Sequence, residues 1–258
     1  IWFCLVGSEM CIRDRSKGMR VRATVRDLED PERVAHLKSM DIAEGGDIEI
    51  VEMDLFDPES VNSAISGCTD LIHTAATVIV RSRDPQRKIV DPSVIGTRNV
   101  ISAVERSGTI ERFVHTSSTA AIRPMEWKDG SILTADIWAN DATLENNPYG
   151  LAKVSAEKIV RDWHASLESG TRPRLVTIHP CMVFGPPLSP RHLRGSLAIL
   201  MAMIRRTVPL SLPMQINIVD VRDVAEAHVR ALEEGQEGGR YLTVSGDMMM
   251  TDIAKALK

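Results

Sequence analysis

Short β-branched runs alternate with helical patterns from Arg20 onward, and this alternation constrains the fold more than any other feature of the chain. Such alternation is typical of β-α-β units, which build a parallel sheet with helices on its faces. The near-continuous apolar character of the runs favours strands buried on both faces. The sequence predicts seven strands: Val21–Val25, Asp47–Met53, Asp70–Ala75, Arg112–Ser117, Arg174–His179, Gln215–Val219 and Arg240–Val244.

Helical patterns lie between these strands, several of them with a proline at the first helical position. The segment 181–213 interrupts the alternation with five prolines and a Met/Leu-rich stretch. We expect it to contribute to a small substrate cap at the carboxyl edge of the sheet, where open α/β sheets bind ligands. The predicted helices are Pro31–Met40, Pro58–Ser66, Pro85–Ser107, Pro148–Ser169 and Val221–Glu234, with a further helix beginning at Thr251.

Composition and charge exclude several classes of protein. The net charge is −4 and there is no run of five like charges, so we expect no nucleic-acid partner. The longest uncharged apolar run, Leu71–Val80, is about half of what a membrane-spanning helix needs, so we expect no membrane span. The cysteine spacings fit neither a zinc ribbon nor a redox pair, which indicates reduced thiols, no metal site and a cytoplasmic protein. These cysteines are Cys4, Cys11, Cys68 and Cys181.

Tyr149 and Lys153 are four residues apart in the predicted helix that follows Pro148, so the phenol and the ammonium share one face. An ammonium beside a phenol lowers the phenol's pKa toward working pH and makes it a usable general acid. We expect Ser118 nearby, because the strand before it ends at the carboxyl edge of the sheet. A chance Tyr-x-x-x-Lys match is the alternative interpretation.

Two further features of these strands have simpler interpretations. The hydroxyl residues Thr116–Thr119 would serve, in the alternative interpretation, only to hydrogen-bond the turn after the strand. His115 and His179 lie within apolar strands, and we interpret both as hydrogen-bonded core histidines without a catalytic role.

An ordered series of motifs extends from residue 17 to residue 258. Through this series the sequence resembles an extended short-chain dehydrogenase/reductase of the NAD-dependent epimerase/dehydratase superfamily, in the branch of the dihydroflavonol and cinnamoyl-CoA reductases. The resemblance implies a Rossmann-like, doubly wound parallel sheet in which residues 17–258 form the NAD(P)-binding domain. The motifs are Val21–Asp27, Asp54-Leu55, Gly67-Cys68, His73–Ala76, Gly96-Thr97, Thr116–Ser118, Tyr149–Lys153, His179-Pro180, Val183–Pro186 and Val219–Val224.

The resemblance also implies a role for each catalytic residue. Tyr149 would donate a proton to a carbonyl oxygen, and Ser118 would orient that oxygen. Lys153 would lower the pKa of the phenol and bind the ribose next to the nicotinamide.

Cofactor choice depends on the end of the second predicted strand. Arg26 occupies the position that binds the 2′-phosphate in NADP-dependent relatives, so the resemblance implies NADPH, with NAD as the less favoured cofactor. Asp27 follows it immediately and is the residue that would favour NAD. The resemblance also implies that Asp54 and Leu55 flank the adenine and that Pro180 and Val183 border the nicotinamide. Ala75 and Ala76 would leave room for the protein backbone to approach the cofactor.

The N-terminus departs from the family pattern. The family opens with a strand and a glycine-rich turn that cradles the pyrophosphate, whereas here Gly7 is followed at the required spacings by Met10 and Arg13. We therefore interpret residues 1–16 as a foreign segment on a chain truncated at both ends, and expect weakened cofactor binding. By apolar content alone, Trp2–Val6 can take the place of the first strand.

The predicted activity is the reduction of a small ketone or aldehyde to an alcohol with NADPH, by a monomer or homodimer. Arg123 stands where flavonoid reductases carry an amide that contacts the flavonoid, so a flavonoid substrate is disfavoured. One alternative is a nucleotide-sugar epimerase or dehydratase, for which a cationic cap would bind the diphosphate. The other is a non-catalytic fragment that lacks the glycine loop. The cations of that cap would be Arg191, Arg194, Arg205 and Arg206.

Overall fold

The central sheet has seven parallel strands in the order β3-β2-β1-β4-β5-β6-β9. The structure is a computed structural model that describes residues 2–5, 19–39, 46–75, 79, 82–128, 130–193, 195–205, 207 and 214–256. The strands in these ranges are β1 (Trp2–Leu5), β2 (Arg20–Val25), β3 (Asp47–Glu52), β4 (Asp70–His73), β5 (Arg112–Thr116), β6 (Arg174–Pro180), β7 (Met182–Phe184), β8 (Gln215–Asp220), β9 (Arg240–Thr243) and β10 (Gly246–Met249).

Four helices begin at the residue that the sequence predicted: Pro31, Pro58, Pro148 and Val221. In the first two, an aspartate before the proline accepts a hydrogen bond from the backbone of the first turn: Asp30 from Glu32 and Asp57 from Glu59. The α-helices are α1 (Pro31–Lys38), α2 (Pro58–Ile65), α3 (Asp91–Ser107), α4 (Pro148–Ser166), α5 (Ser196–Ile204), α6 (Val221–Glu234) and α7 (Met250–Ala256). A π-helical turn, Gln86–Val90, precedes α3, and 3₁₀ turns cover Thr119–Ala121 and Pro190–Leu193.

Helices cover both faces of the central sheet. On one face α2, α3 and α4 pack on the side of Phe113, which is fully buried. On the other face α1 and α6 pack against residues that include Val114 and Ile178. The expectation of a doubly wound parallel sheet is therefore confirmed, and the ends of the predicted elements differ from the observed ones by three residues at most, apart from the start of α3.

The N-terminal strand β1 lies at the centre of this sheet, between β2 and β4. Phe3 pairs with Val21 on one side and with Asp70 on the other. The expectation that this apolar segment takes the place of the first strand is thus confirmed. The interpretation of residues 1–16 as foreign sequence remains a prediction.

One predicted strand joins a different sheet. We expected Gln215–Val219 in the parallel sheet, but β8 pairs with β7 in parallel and with β10 in antiparallel orientation. The reason is its alternation: Ile216 and Ile218 pack in the core of the small sheet, while Gln215 and Asn217 are exposed, as expected for a strand with one covered face. This small sheet has its own apolar core, formed with α5 and α7 around Met203, Ile216, Met250 and Ile253.

The 3₁₀ turn Pro190–Leu193, here called the cap turn, packs on the first turn of α1. Arg191 forms ion pairs with Asp30 and with Glu32, and the Ser189 hydroxyl donates a hydrogen bond to the Glu32 carbonyl oxygen at 2.7 Å. These contacts connect segment 181–213 to the β2–α1 end of the sheet. Within the described ranges, no helix has both the length and the apolar character needed to cross a bilayer.

The central position of β1 leads to a test at Cys4, which pairs with Arg22 and Leu71. We expect Cys4→Pro to lower the free energy of unfolding by about 2 kcal/mol or more, because proline removes a backbone donor from a strand paired on both sides and leaves an acceptor unpaired. Urea unfolding measures the change. The control is Cys4→Ala, which keeps the N–H; equal stabilities of the two variants would show that β1 does not pair in solution.

Candidate active site

Ser118 lies just beyond the carboxyl end of β5, where the chain turns into the 3₁₀ segment Thr119–Ala121. The backbone N–H of Ala120 donates a hydrogen bond to the Ser118 Oγ at 3.1 Å, which fixes the side chain at this turn. The Ser118 side chain is also hydrogen-bonded to the phenol of Tyr149. Ser118 therefore forms part of the turn, as the alternative interpretation held, and also contacts the tyrosine.

Tyr149 is held in the first turn of α4 by a side-chain cap. The backbone N–H of Gly150 donates to Asn147 Oδ1 at 2.9 Å, and Pro148 occupies the first helical position. A Cβ atom at Gly150 would lie 2.3 Å from the Asn147 amide nitrogen, so only glycine permits this cap. The cap thereby places the half-buried phenol beside Ser118.

The pKa of Tyr149 departs from the sequence expectation. Burial raises the pKa of the phenol above its ordinary value of 10.0, and the hydrogen bond from Ser118 lowers it in part. We expected Lys153 to lower it. The Lys153 ammonium instead donates a hydrogen bond to the carbonyl oxygen of Thr116, the last residue of β5, at 3.2 Å.

Lys153 is buried one turn after Tyr149 on the same face of α4. Burial lowers the pKa of its ammonium to about 8, and the negative charge of Glu157 acts in the opposite direction. Without that carboxylate, an ammonium at this depth would lose still more of its charge. The protonation state of Lys153 therefore depends on Glu157.

Glu157 is fully buried and accepts hydrogen bonds from three elements of the sheet. The donors are the Ser117 hydroxyl at 2.6 Å, His179 Nε2 at 2.8 Å and Arg240 Nε at 2.7 Å. Burial alone would raise the pKa of Glu157, and these three donors lower it to about 2. The carboxylate ties α4 to the ends of β5, β6 and β9.

Arg240 extends this network to the segment between β5 and α4. Its guanidinium donates to the carbonyl oxygens of Ala135 and Ile137, the latter at 3.1 Å, and stacks 3.9 Å from the ring centre of Trp138. Sequence reasoning missed both Glu157 and Arg240. The available signal was the spacing of Tyr149, Lys153 and Glu157, which recur every four residues on one face of α4.

The two strand histidines have different environments. His179 is hydrogen-bonded to Glu157, in agreement with the sequence interpretation. His115 contradicts it, because neither ring nitrogen has a hydrogen-bond partner among the described residues. Burial, with the nearby His73 and Lys153, holds the pKa of His115 well below its usual value, so the ring stays neutral. The ring is buried in a central strand, and its centroid lies 5.5 Å from the ring centroid of His73 and 6.4 Å from that of Phe113.

Arg26 and Asp27 both follow β2 but differ in their contacts. Arg26 is exposed and, within the described part of the chain, its guanidinium makes no ion pair or hydrogen bond. Asp27 Oδ1 accepts a hydrogen bond from the backbone N–H of Glu29 at 3.0 Å. The cation is available to an anionic ligand, whereas the carboxylate stabilises the local turn.

The loop after β3 is fixed against α3. Asp54 Oδ1 accepts from the Phe56 N–H at 2.9 Å, and the Leu55 carbonyl oxygen accepts from the Asn99 amide at 2.7 Å. The Leu55 side chain passes so close to α3 that a Cβ atom at Gly96 would lie 3.1 Å from it. Hydrogen bonds within the protein therefore fix Asp54 and Leu55 at the carboxyl edge of the sheet.

The remaining cofactor candidates lie along the same edge. Ala75 is half-buried two residues after β4, while Ala76 lies outside the described residues. Next to Ala75, the buried Thr74 Oγ1 has no hydrogen-bond partner among the described residues, which suits a site for a polar ligand. Pro180 ends β6 and Val183 lies in β7. Arg26 and the Thr74 hydroxyl, which have no partner among the described residues, are donors that suit an anionic cofactor.

The cap cations of the nucleotide-sugar alternative are only partly described. Arg191 is paired with Asp30 and Glu32, so its charge is already offset. Arg205 is exposed at the end of α5, and Arg194 and Arg206 lie outside the described residues.

Comparison with known proteins identifies the family. The sequence matches the model of the NAD dependent epimerase/dehydratase family over residues 4–244. The chain belongs to this family. Cinnamoyl-CoA reductase CAD2 from Medicago truncatula is 31% identical over 94% of this chain and 73% of the relative. An anthocyanidin reductase from Arabidopsis thaliana is 30% identical over 93% of this chain and 73% of the relative.

Among solved structures, the chain is similar to Gre2 from Candida albicans in complex with NADPH. It is 26% identical, superposes with a TM-score of 0.81, and the match covers 97% of this chain and 80% of that chain. The family match and these reductase relatives confirm the expectation of an NAD(P)-dependent oxidoreductase with a Rossmann-like fold.

The Glu157 network leads to a prediction on stability and pH. We expect Glu157→Gln to lower the free energy of unfolding by about 3–5 kcal/mol at pH 7, because it leaves Arg240 buried without its countercharge. The pKa of Glu157 is about 2 in the folded state against an ordinary 4.5, so its stabilisation is complete above pH 4.5 and is lost as the pH falls toward 2.

Urea unfolding between pH 2 and pH 7 tests this prediction. The loss of stability below pH 4.5 is expected to be smaller in Glu157→Gln than in the parent protein. The control is Glu168→Gln at an exposed position, which changes the same charge on the surface. Identical pH profiles for Glu157→Gln and the parent would exclude the carboxylate as the source.

Proposed function

We propose that this member of the family reduces a ketone or aldehyde of a small molecule to an alcohol with NADPH. The observation that carries the proposal is the hydrogen bond from Ser118 to Tyr149, with Lys153 buried one helical turn away at the ligand-binding edge of the sheet. The names of the relatives, cinnamoyl-CoA reductase and anthocyanidin reductase, support the same reaction class.

Tyr149 is the proton donor in this proposal. The phenol is protonated at neutral pH, so its proton is available to the substrate's carbonyl oxygen, and the hydrogen bond with Ser118 offsets part of the rise in its pKa that burial causes. Ser118 donates to the phenol oxygen and stabilises the phenolate left after transfer, which then regains a proton from solvent. Glu157 favours the charged form of Lys153, which lies one helical turn from the phenol.

The cofactor, when bound, supplies the hydride that the carbonyl carbon receives. Arg26 would bind the 2′-phosphate, because its guanidinium is exposed and Asp27 is engaged in a turn. Lys153 would bind the ribose next to the nicotinamide. Asp54 and Leu55 would border the adenine, and Pro180 and Val183 would border the nicotinamide. The small side chains of Ala75 and Ala76 would let the protein backbone approach the cofactor. The Gre2 structure with NADPH supports this choice of cofactor.

The alternatives have less support. A nucleotide-sugar epimerase or dehydratase needs free cap cations, and Arg191 is already paired with two carboxylates. A non-catalytic fragment would not require the Ser118–Tyr149 contact. The glycine-loop positions Gly7, Met10 and Arg13 lie outside the described residues. We also propose a cytoplasmic monomer or homodimer whose segment 181–213 caps the substrate.

We expect Tyr149→Phe to lower kcat for aldehyde reduction by about 10²- to 10⁴-fold, the usual contribution of a positioned general acid. The measurement is the loss of NADPH absorbance at saturating cofactor. Exposed Tyr241→Phe is the control, because that hydroxyl lies outside the catalytic edge and accepts a hydrogen bond from the Gln236 backbone. Full turnover in Tyr149→Phe would remove the phenol from the mechanism.

For cofactor choice, we expect Arg26→Ala to lower kcat/KM for NADPH by about tenfold or more and to leave the value for NADH nearly unchanged. A charge-assisted contact to phosphate contributes about 1.5–3 kcal/mol, and NADH has no phosphate at that position. Steady-state kinetics with both cofactors measures the difference. Equal losses with NADPH and NADH would assign Arg26 a structural role.

A further inference from the structure

A cavity of about 400 Å³ lies beside the catalytic residues and has no role in the mechanism above. Its volume is within the range of small-molecule pockets. Two of its walls are continuous with the site: the Ala120 N–H is bonded to Ser118 Oγ, and Asn147 caps the turn that carries Tyr149. The lining residues are Thr119, Ala120, Arg123, Pro124, Met125 and Asn147.

The polar groups of this cavity are donors. Arg123 is exposed, and its guanidinium makes no ion pair or hydrogen bond with the described residues. The Asn147 amide nitrogen also has no acceptor among them, since its oxygen takes the cap bond from Gly150. The N-terminus of α4 adds a partial positive charge at this wall.

None of the described residues that line the cavity carries a carboxylate. The carboxylate of Asp141 is engaged with the backbone next to the cavity: it accepts from Met125, and its Oδ2 accepts the Glu126 N–H at 3.0 Å. The one charge among the described lining residues is that of Arg123, while Pro124, Met125 and Ala120 give the cavity apolar surface. A ligand that fits both properties has an apolar body and an anionic end.

We propose that this cavity binds the part of the substrate remote from the carbonyl, and that Arg123 selects substrates with a carboxylate there. The substrate class is then an aldehyde or ketone that carries a carboxylate, with its carbonyl at Tyr149 and its anionic end at Arg123. A planar guanidinium can bind a carboxylate through two parallel hydrogen bonds. This assignment rests on the proposed reductase function.

The kinetic test compares 4-acetylbenzoate with its neutral methyl ester, using NADPH and the full chain. In Arg123→Gln we expect the ratio of kcat/KM for the acid to that for the ester to fall by about tenfold or more, because a charge-assisted pair is lost. The ester's own kcat/KM is expected to stay within about twofold. An unchanged ratio, or equal losses for both compounds, would overturn the proposal.

Two variants control this experiment. Arg230→Gln removes the same charge from an exposed arginine on α6 that pairs with Glu234, and we expect it to leave the ratio unchanged. Arg123→Lys keeps the charge and is expected to recover part of the preference for the acid. A ratio that falls equally in Arg230→Gln would trace the effect to net charge and overturn the assignment of Arg123.

Binding without cofactor separates this proposal from the reductase function. Saturation-transfer NMR of 4-acetylbenzoate is expected to show binding to the parent protein and to Tyr149→Phe, and weakened binding to Arg123→Gln. If binding depends on Arg123 but nothing is reduced, the anion site stands and the reductase function fails. If the ester is reduced as efficiently as the acid and binding ignores Arg123, the reductase function stands and the anion site fails.

Discussion

The buried carboxylate of Glu157 holds the active-site helix to the sheet. Its oxygens accept from Ser117, His179 and Arg240, which come from the ends of three neighbouring strands, so the orientation of α4 is fixed by three donors at once. A buried charge is costly unless it is fully paired, and here each oxygen has a partner. These hydrogen bonds offset the cost of burying the charge. They also hold α4, on which Tyr149, Lys153 and Glu157 recur at four-residue intervals.

Three sets of contacts fix the proposed catalytic residues at the carboxyl edge of the sheet. Glu157 interacts with the charge of Lys153, Asn147 caps the start of α4, and the Ala120 amide donates a hydrogen bond to Ser118. Each contact is local or is made by a strand end, so the edge does not depend on a bound ligand to assemble. Preorganisation of this kind is what a proton donor requires, because a misplaced phenol loses its advantage over water.

Periodicity and capping signals were sufficient to predict most strands of the central sheet and the helices that cover it. A buried parallel strand is an apolar run, and an Asp-Pro pair marks a helix start, so both can be recognised from a few neighbouring residues. Tyr149, Lys153 and Ser118, the proposed catalytic residues, were selected through spacing, strand ends and the family resemblance. The Glu157–Arg240 pair was not, because it joins residues 83 positions apart whose partnership depends on the strand order. The predicted sheet for β8 was wrong for a similar reason. Its sequence shows alternating polar and apolar residues, but it does not show that the strand pairs with β7 and β10.

Asp30 performs two tasks at one place. It caps α1 through the Glu32 N–H and pairs with Arg191 of the cap turn. The segment from Arg26 to Asp30 therefore cannot be exchanged independently of the cap turn. Transplanting this connection from a relative in order to change cofactor preference would detach the cap turn from α1 unless the aspartate and its arginine partner were carried over together.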